Sequence, residues 1–196
     1  KLSKKPYFIM ITQSGETADL RACLKSIEQL NRPILTITNV ITSTLAREAS
    51  YFLDVLAGPE IAVASTKAYS AQICLLFLLA SKLSQSKIDA KDELVRLSQS
   101  ISDFIQSTDM RKISSEYLYK RNCFLIGRGI AYDLALEAAL KIKEVTYIQT
   151  EGFASGELKH GTIALIEEDT PVFAFIIEKN MDNLTRSNLK EVEARG

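Results

Sequence analysis

The sequence lacks the features that mark nucleic-acid-binding, membrane-spanning and secreted proteins. Lysine plus arginine (24) equals aspartate plus glutamate (24), so the formal net charge is zero, and no basic field is present to gather nucleic acid or anionic lipid. The longest apolar run, residues 73–80, is well short of the roughly 20 residues of a membrane span. The first ten residues carry lysines but no signal-peptide core. We therefore expect no nucleic-acid partner, no membrane association and a cytoplasmic location.

Metal-binding residues are also scarce. One histidine, His160, and three cysteines, Cys23, Cys74 and Cys123, provide no cluster with the spacing of a metal site. Each cysteine lies in apolar or helical company, which indicates buried free thiols in a reducing compartment. The sequence thus predicts neither a metal nor another cofactor.

The chain does have a large apolar fraction, 46% of its 196 residues, and strands that alternate with helices. This alternation predicts an α/β fold with parallel sheets and crossover helices. The helix predicted at residues 65–83 is apolar nearly all round in its second half, which predicts that it is buried. Strands are predicted at residues 6–12, 33–38, 51–56, 123–126, 163–166 and 172–177, and the other helices at 18–30, 43–49, 91–105, 109–119, 132–148 and from about 182.

Residues 12–17 (TQSGET) follow the first predicted strand and open the first helix, the position at which open α/β sheets bind ligands. Free backbone NH groups and the helix dipole favour an anion there, and the hydroxyls of Thr12, Ser14 and Thr17 and the Gln13 amide add donors. An ordinary helix N-cap is the alternative. These neutral donors outnumber what a cap requires, and the turn lacks the GK[ST] ending of a nucleotide loop, so a monophosphate is the favoured ligand.

Five segments carry a family resemblance: TQSGETADL, AGPEIAVASTKAYSAQ, GRG, ALEAALKIKEVTYI and EGFASGELKHG, in that order. With them the sequence resembles the isomerase region of the glutamine-fructose-6-phosphate aminotransferases, also called glucosamine-6-phosphate synthases. The resemblance implies two flavodoxin-like SIS (sugar isomerase) subdomains, parallel sheets with helices on both faces, each incomplete in this chain. Residues 1–89 resemble the later part of the first SIS domain and residues 114–196 the earlier part of the second, with residues 90–113 as a helical connector.

The resemblance also implies the reaction, in which fructose 6-phosphate and ammonia form glucosamine 6-phosphate. It implies a homodimer, and ammonia from a glutaminase domain that is absent from this chain. Val63 and Ser65 match the wall of the sugar site, although helix capping is an alternative role for Ser65. The family's Schiff-base lysine lies outside this chain, so we expect the chain alone to be inactive. The family's phosphate-binding residues map onto Thr12, Gln13, Ser14 and Thr17.

Aldose–ketose interconversion needs a base that moves a proton between C1 and C2 and a group that opens the sugar ring. The resemblance assigns the first task to Glu144 and the second to His160, and Lys141 matches an active-site lysine. Helical spacing independently places Glu137, Lys141 and Glu144 on one face. A solvated face with i,i+4 and i,i+3 ion pairs is the alternative, and a lone histidine is more often a surface residue than a catalyst.

A second function stays open, a non-catalytic SIS-type regulatory module that binds sugar phosphates. Such a sensor needs the turn at residues 12–17 but no acid–base group. The combination of Lys141, Glu144 and His160 therefore favours the enzyme. A structural fragment that dimerises and binds no ligand is the third interpretation.

Overall fold

A computed structural model describes residues 5–85 and 87–195 of the chain, and these divide into two compact units between Ser107 and Thr108. The first unit contains β1 (Phe8–Thr12), α1 (Ala18–Glu28), β2 (Ile34–Thr38), α2 (Thr44–Glu48), β3 (Tyr51–Asp54), α3 (Lys67–Leu83) and α4 (Ala90–Ser107). The second contains α5 (Met110–Ser115), β4 (Asn122–Gly127), α6 (Ile130–Thr146), β5 (Gln149–Ala154), two 3-10 helices (Ser155–His160 and Thr162–Leu165), β6 (Val172–Ala174) and α7 (Asp182–Glu193).

Each unit is built on a three-stranded parallel sheet. The strand order is β1-β2-β3 in the first unit and β5-β4-β6 in the second. In the first sheet Phe8 lies opposite Ile34, and in the second Phe124 of the central strand lies opposite Val172. The predicted α/β class with parallel sheets is confirmed.

One apolar cluster of the first unit lies on the face of its sheet that α1 and α2 cover, and fully buried Ile37 of β2 points to the opposite face. Met10 of β1 and Ile34 of β2 are buried against Leu24 of α1 and Leu45 of α2. Successive side chains of a strand point to opposite faces, and β1 follows this rule, since Ile9 is exposed while Met10 is buried. The packing brings the start of α2 close to the carboxyl end of β1.

The second unit has apolar clusters on both faces of its sheet, because alternate residues of β4 point in opposite directions. Phe124 and Ile126 pack with Leu158 of the first 3-10 helix and Val192 of α7. On the other face lies the cluster of Cys123, Leu125, Ala135 and Ala139, the last two from α6. The helices of this unit therefore cover both faces, as the resemblance implied.

The strand predicted at residues 163–166 is wrong, because a 3-10 helix occupies Thr162–Leu165. Gly161 precedes it with φ 138°, and buried Ile166 and partly buried Ile163 pack on the core instead of pairing in a strand. The real strand is β5, which pairs with β4. Its sequence, QTEGFA, contains a glutamate and a glycine, and both are poor strand formers.

Two burial predictions also need correction. Of the three cysteines only Cys123 is buried, whereas Cys23 is exposed. Burial raises the pKa of the Cys123 thiol to about 11, which keeps it protonated. The predicted burial of α3 is wrong as well, since Ala68 is its buried residue and Ile73 is 50% exposed. A helix that is apolar all round is buried only where neighbours surround it, and α3 packs against α4 on one side.

None of the helices within residues 5–85 and 87–195 is both long and apolar enough to cross a membrane.

Candidate functional site

Residues 12–17 form a tight turn between β1 and α1 that is held by its own hydroxyl groups. Thr12 Oγ1 accepts a hydrogen bond from Gly15 N at 3.1 Å and lies 3.5 Å from Thr17 Oγ1. Ser14 Oγ accepts from Glu16 N at 3.2 Å. Thr12 is only 6% exposed, so its hydroxyl organises the turn from beneath. Gln13 and Ser14 are half-buried and Thr17 is exposed, which leaves these three side chains accessible to a ligand.

The turn is docked on the start of α2. Gly15 O accepts from Leu45 N at 3.1 Å, and Glu16 Oε1 accepts from Thr44 N at 2.7 Å. Gly15 adopts φ 69°, and a Cβ atom on it would lie 1.9 Å from Ser43 Oγ. Only glycine satisfies this backbone angle and this close approach together. The hydrogen bond from the Thr44 backbone is the main reason that the pKa of Glu16 lies below its usual value.

The N-terminus of α1 is open. Its N-cap is Thr17, and no side chain caps it in the part of the chain that the structure describes. The N-cap role that was the alternative for this turn is therefore not observed. Arg21 N already bonds to Thr17 O, so the unsatisfied NH groups are those of Ala18, Asp19 and Leu20. Together with the helix dipole they form a site that favours an anion.

Other helices of the chain are closed at this end by side-chain oxygen atoms. The acceptors are Ser43 and Glu16 at α2, Glu60 at α3, Asp89 at α4, Asp109 at α5 and Glu178 at α6. Helix α7 shares with α1 the lack of a side-chain cap, and both helices carry an aspartate in the first turn, Asp182 in α7 and Asp19 in α1. The residues just before α7, 177–181, contain no hydroxyl side chain. The open end of α1, with hydroxyl groups around it, is thus distinctive.

The segment that contains Val63 and Ser65 precedes α3 and is organised by Glu60. Glu60 Oε1 accepts from Thr66 N at 3.0 Å and from Thr66 Oγ1 at 3.1 Å, and Oε2 accepts from Ala68 N at 3.2 Å. The bond from the Thr66 backbone is the largest cause of a lowered pKa for Glu60. The alternative role of Ser65 as the cap of this helix is therefore not seen. Val63 is fully exposed and Ser65 half-buried.

The three charged residues predicted to share a face of α6 do lie together. Lys141 Nζ is 2.6 Å from Glu144 Oε2 and 3.6 Å from Glu137 Oε1. The three side chains are only 23–32% exposed. Burial disfavours the charge of Lys141, but the hydrogen bond to Glu144 and the two negative charges outweigh it, so the pKa of Lys141 is raised. The ion-paired face predicted as the alternative is present, and it also places an ammonium group against the proposed base.

His160 is the exposed last residue of the first 3-10 helix. Buried Leu158 anchors this 3-10 helix in the cluster that contains Val192 of α7. Lys159 Nζ lies 2.8 Å from Glu191 Oε1, which also belongs to α7. Helix α6 packs on the other face of the sheet. No hydrogen bond or ion pair among the described residues joins His160 to Lys141 or Glu144.

Sequence reasoning missed the roles of the capping carboxylates. Glu178 Oε1 accepts from Ile130 N at 2.9 Å, across 48 positions of the chain, and Glu16 reaches Thr44 across 28. Local sequence carries no signal for such partners. For Glu16 the only available sign was an acidic residue inside a predicted anion-binding turn.

Comparison with known proteins places the chain in a family. Residues 1–82 and 116–196 match the SIS domain family. Over its whole length the chain is 53% identical to glutamine–fructose-6-phosphate aminotransferase [isomerizing] from Lactiplantibacillus plantarum and 53% identical to that from Bacillus subtilis. The chain spans about a third, 34%, of the length of each relative.

A solved structure shows the same fold. The C-terminal domain of glucosamine-fructose-6-phosphate aminotransferase from Francisella tularensis matches with a TM-score of 0.87 and 38% sequence identity. The match covers 97% of this chain and 56% of that one. Sequence and fold therefore lead to the same relatives.

Proposed function

Because the chain belongs to the SIS domain family, we propose that residues 12–17 bind the phosphate group of fructose 6-phosphate, in the isomerase portion of a glutamine-fructose-6-phosphate aminotransferase. The relatives' names supply the reaction. The open N-terminus of α1 is the observation that carries the proposal. A phosphate there receives backbone NH groups and the side-chain donors of Gln13, Ser14 and Thr17, and such charge-assisted hydrogen bonds are strong.

The remaining predicted residues take roles that follow the chemistry of the sugar. The Ser65 hydroxyl and the Val63 carbonyl hydrogen-bond sugar or amine groups beside the phosphate. Glu144 moves the proton between C1 and C2, and Lys141, whose ammonium lies 2.6 Å from it, pairs with its carboxylate and orients it. His160 serves the ring oxygen.

Further parts of the proposal concern the larger protein. Residues 1–89 and 114–196 are parts of two SIS domains joined by residues 90–113. We place the parent enzyme in the cytoplasm as a homodimer, with ammonia delivered by its glutaminase domain. The relatives, of which the chain spans about a third, support the part of this proposal that concerns a longer parent enzyme.

Removal of ligand-facing hydroxyl groups tests the phosphate site. In isothermal titration with glucosamine 6-phosphate, we expect Ser14→Ala and Thr17→Val each to weaken binding roughly tenfold, the value of one hydrogen bond to a charged group. Ser26→Ala is the matched control, because the Ser26 hydroxyl lies near the other end of α1 and bonds to Ala22 O. Unchanged affinity in both variants, or an equal loss in the control, would place the phosphate elsewhere.

A further inference from the structure

Glu16 places a negative charge inside the turn proposed to bind a phosphate dianion. Two like charges a few ångströms apart repel each other. An acidic residue at this position therefore opposes the ligand unless its charge is engaged elsewhere.

The structure shows where that charge goes. Glu16 Oε1 accepts a 2.7 Å hydrogen bond from Thr44 N at the start of α2, and Oε2 lies 4.0 Å from Arg21 Nη1. The lowered pKa of Glu16 agrees with a carboxylate held in its ionised form by these donors. One carboxylate oxygen of Glu16 is thus engaged at the start of α2, while the other lies near Arg21 of α1.

Two helix N-termini lie next to each other at this edge of the sheet. That of α2 is filled by Ser43, which accepts from Ala46 N, and by Glu16. That of α1 is open. In the second unit the helix that follows the glycine turn, α6, is closed by Glu178. Carboxylates therefore close the N-termini of α2 and α6, whereas that of α1 stays open.

We propose that Glu16 is a positioning residue that fills the N-terminus of α2, fixes the turn to that helix and so directs the phosphate to the N-terminus of α1. This inference rests on the proposed function, because it assumes that the ligand carries a phosphate. Without the carboxylate, the Gly15–Leu45 hydrogen bond is the one polar link between the turn and the start of α2 that remains among the described residues.

Three variants separate the hydrogen bond of Glu16 from its charge. Glu16→Ala removes both, Glu16→Gln keeps an oxygen acceptor without the charge, and Glu28→Ala removes an exposed carboxylate at the other end of α1. The first readout, taken without ligand, is hydrogen exchange at the amide of Thr44, measured by NMR. We expect exchange to be roughly tenfold faster in Glu16→Ala and near the wild-type rate in Glu16→Gln and Glu28→Ala.

The second readout is the position and affinity of the anion. In the wild type and in Glu28→Ala, inorganic phosphate should shift the amide signals of Ala18 and Asp19, whereas in Glu16→Ala the same phosphate concentration should shift them less. Glucosamine 6-phosphate should bind several-fold more weakly to Glu16→Ala, with recovery in Glu16→Gln.

The outcomes decide separately on the two claims. Wild-type Thr44 exchange in Glu16→Ala, or affinity equal to or tighter than wild type, overturns the positioning role. Failure of Glu16→Gln to restore binding overturns it too, because the hydrogen bond would then not be what matters. A wild-type protein that binds no sugar phosphate refutes the proposed function, while Thr44 exchange still reports on the Glu16 contact.

Discussion

Gly15 meets two requirements at a single position, a left-handed backbone angle and a close approach to Ser43. Gly15→Ala should therefore destabilise the chain for two separate reasons. Non-glycine residues cost about 1–2 kcal/mol in that region, and forcing a methyl group into packed atoms adds about 1–3 kcal/mol. We expect a total of about 2–5 kcal/mol in the free energy of unfolding, measured by urea denaturation, with loss of sugar phosphate binding.

Gly58 supplies the matched control, because it has the same φ of 69° but nothing within 4 Å of an added Cβ. Gly58→Ala isolates the backbone term and should cost about 1–2 kcal/mol. Equal losses in the free energy of unfolding in the two variants would show that the close approach of Gly15 to Ser43 does not contribute to stability. The tight docking of the turn on α2 would then contribute nothing either.

At the scale of elements, α3 depends on a carboxylate that lies outside it. The three hydrogen bonds accepted by Glu60 satisfy donors at the start of this helix and hold the exposed segment of Val63 and Ser65. Glu60→Ala should lower the melting temperature at pH 7 and weaken binding of sugar phosphate. Glu60→Gln, which has one carbonyl oxygen in place of two carboxylate oxygens, should show a smaller effect.

The pH dependence of this effect has a definite sign. The pKa of Glu60 is depressed in the folded chain, so its stabilisation is complete above the usual value of 4.5 and is lost as the pH falls through the folded value. The difference in melting temperature between wild type and Glu60→Ala should thus be constant from pH 8 to about pH 5 and shrink at lower pH. A difference that grows on acidification would contradict the ionised cap.

Regular elements were predictable because their signals are local. The apolar periodicities of β1, α1, α4 and α6 can be read from residues that are close together in the sequence. The face shared by Glu137, Lys141 and Glu144 follows from helical spacing alone. The sequence did not predict β5 or the 3-10 helix at Thr162–Leu165, because strand pairing and core packing override weak local preferences in these segments. Partners that lie far along the chain, such as Glu178 for Ile130, become visible only in the folded structure.

At the scale of the whole molecule, the chain spans about a third of its relatives, and the binding and reaction steps should separate accordingly. We expect the chain alone to bind glucosamine 6-phosphate without forming it from fructose 6-phosphate and glutamine. A measured glutamine-dependent turnover by the isolated chain would contradict this expectation. The acid–base role that we propose for Glu144 therefore has to be tested in the full-length protein that contains this chain.

In that full-length protein the test is exchange of the sugar C1 or C2 proton with labelled water. Glu144→Gln should reduce the exchange rate about 100- to 10,000-fold, the usual contribution of a general base, while the affinity for sugar phosphate changes little. Glu137→Gln is the matched control, since it also loses a carboxylate near Lys141, and exchange should largely persist. If Glu144→Gln exchanges at the wild-type rate, Glu144 is not the base. Binding without exchange in the wild type would instead indicate the non-catalytic sensor, in which the pair of Lys141 and Glu144 is only a stabilising contact on α6.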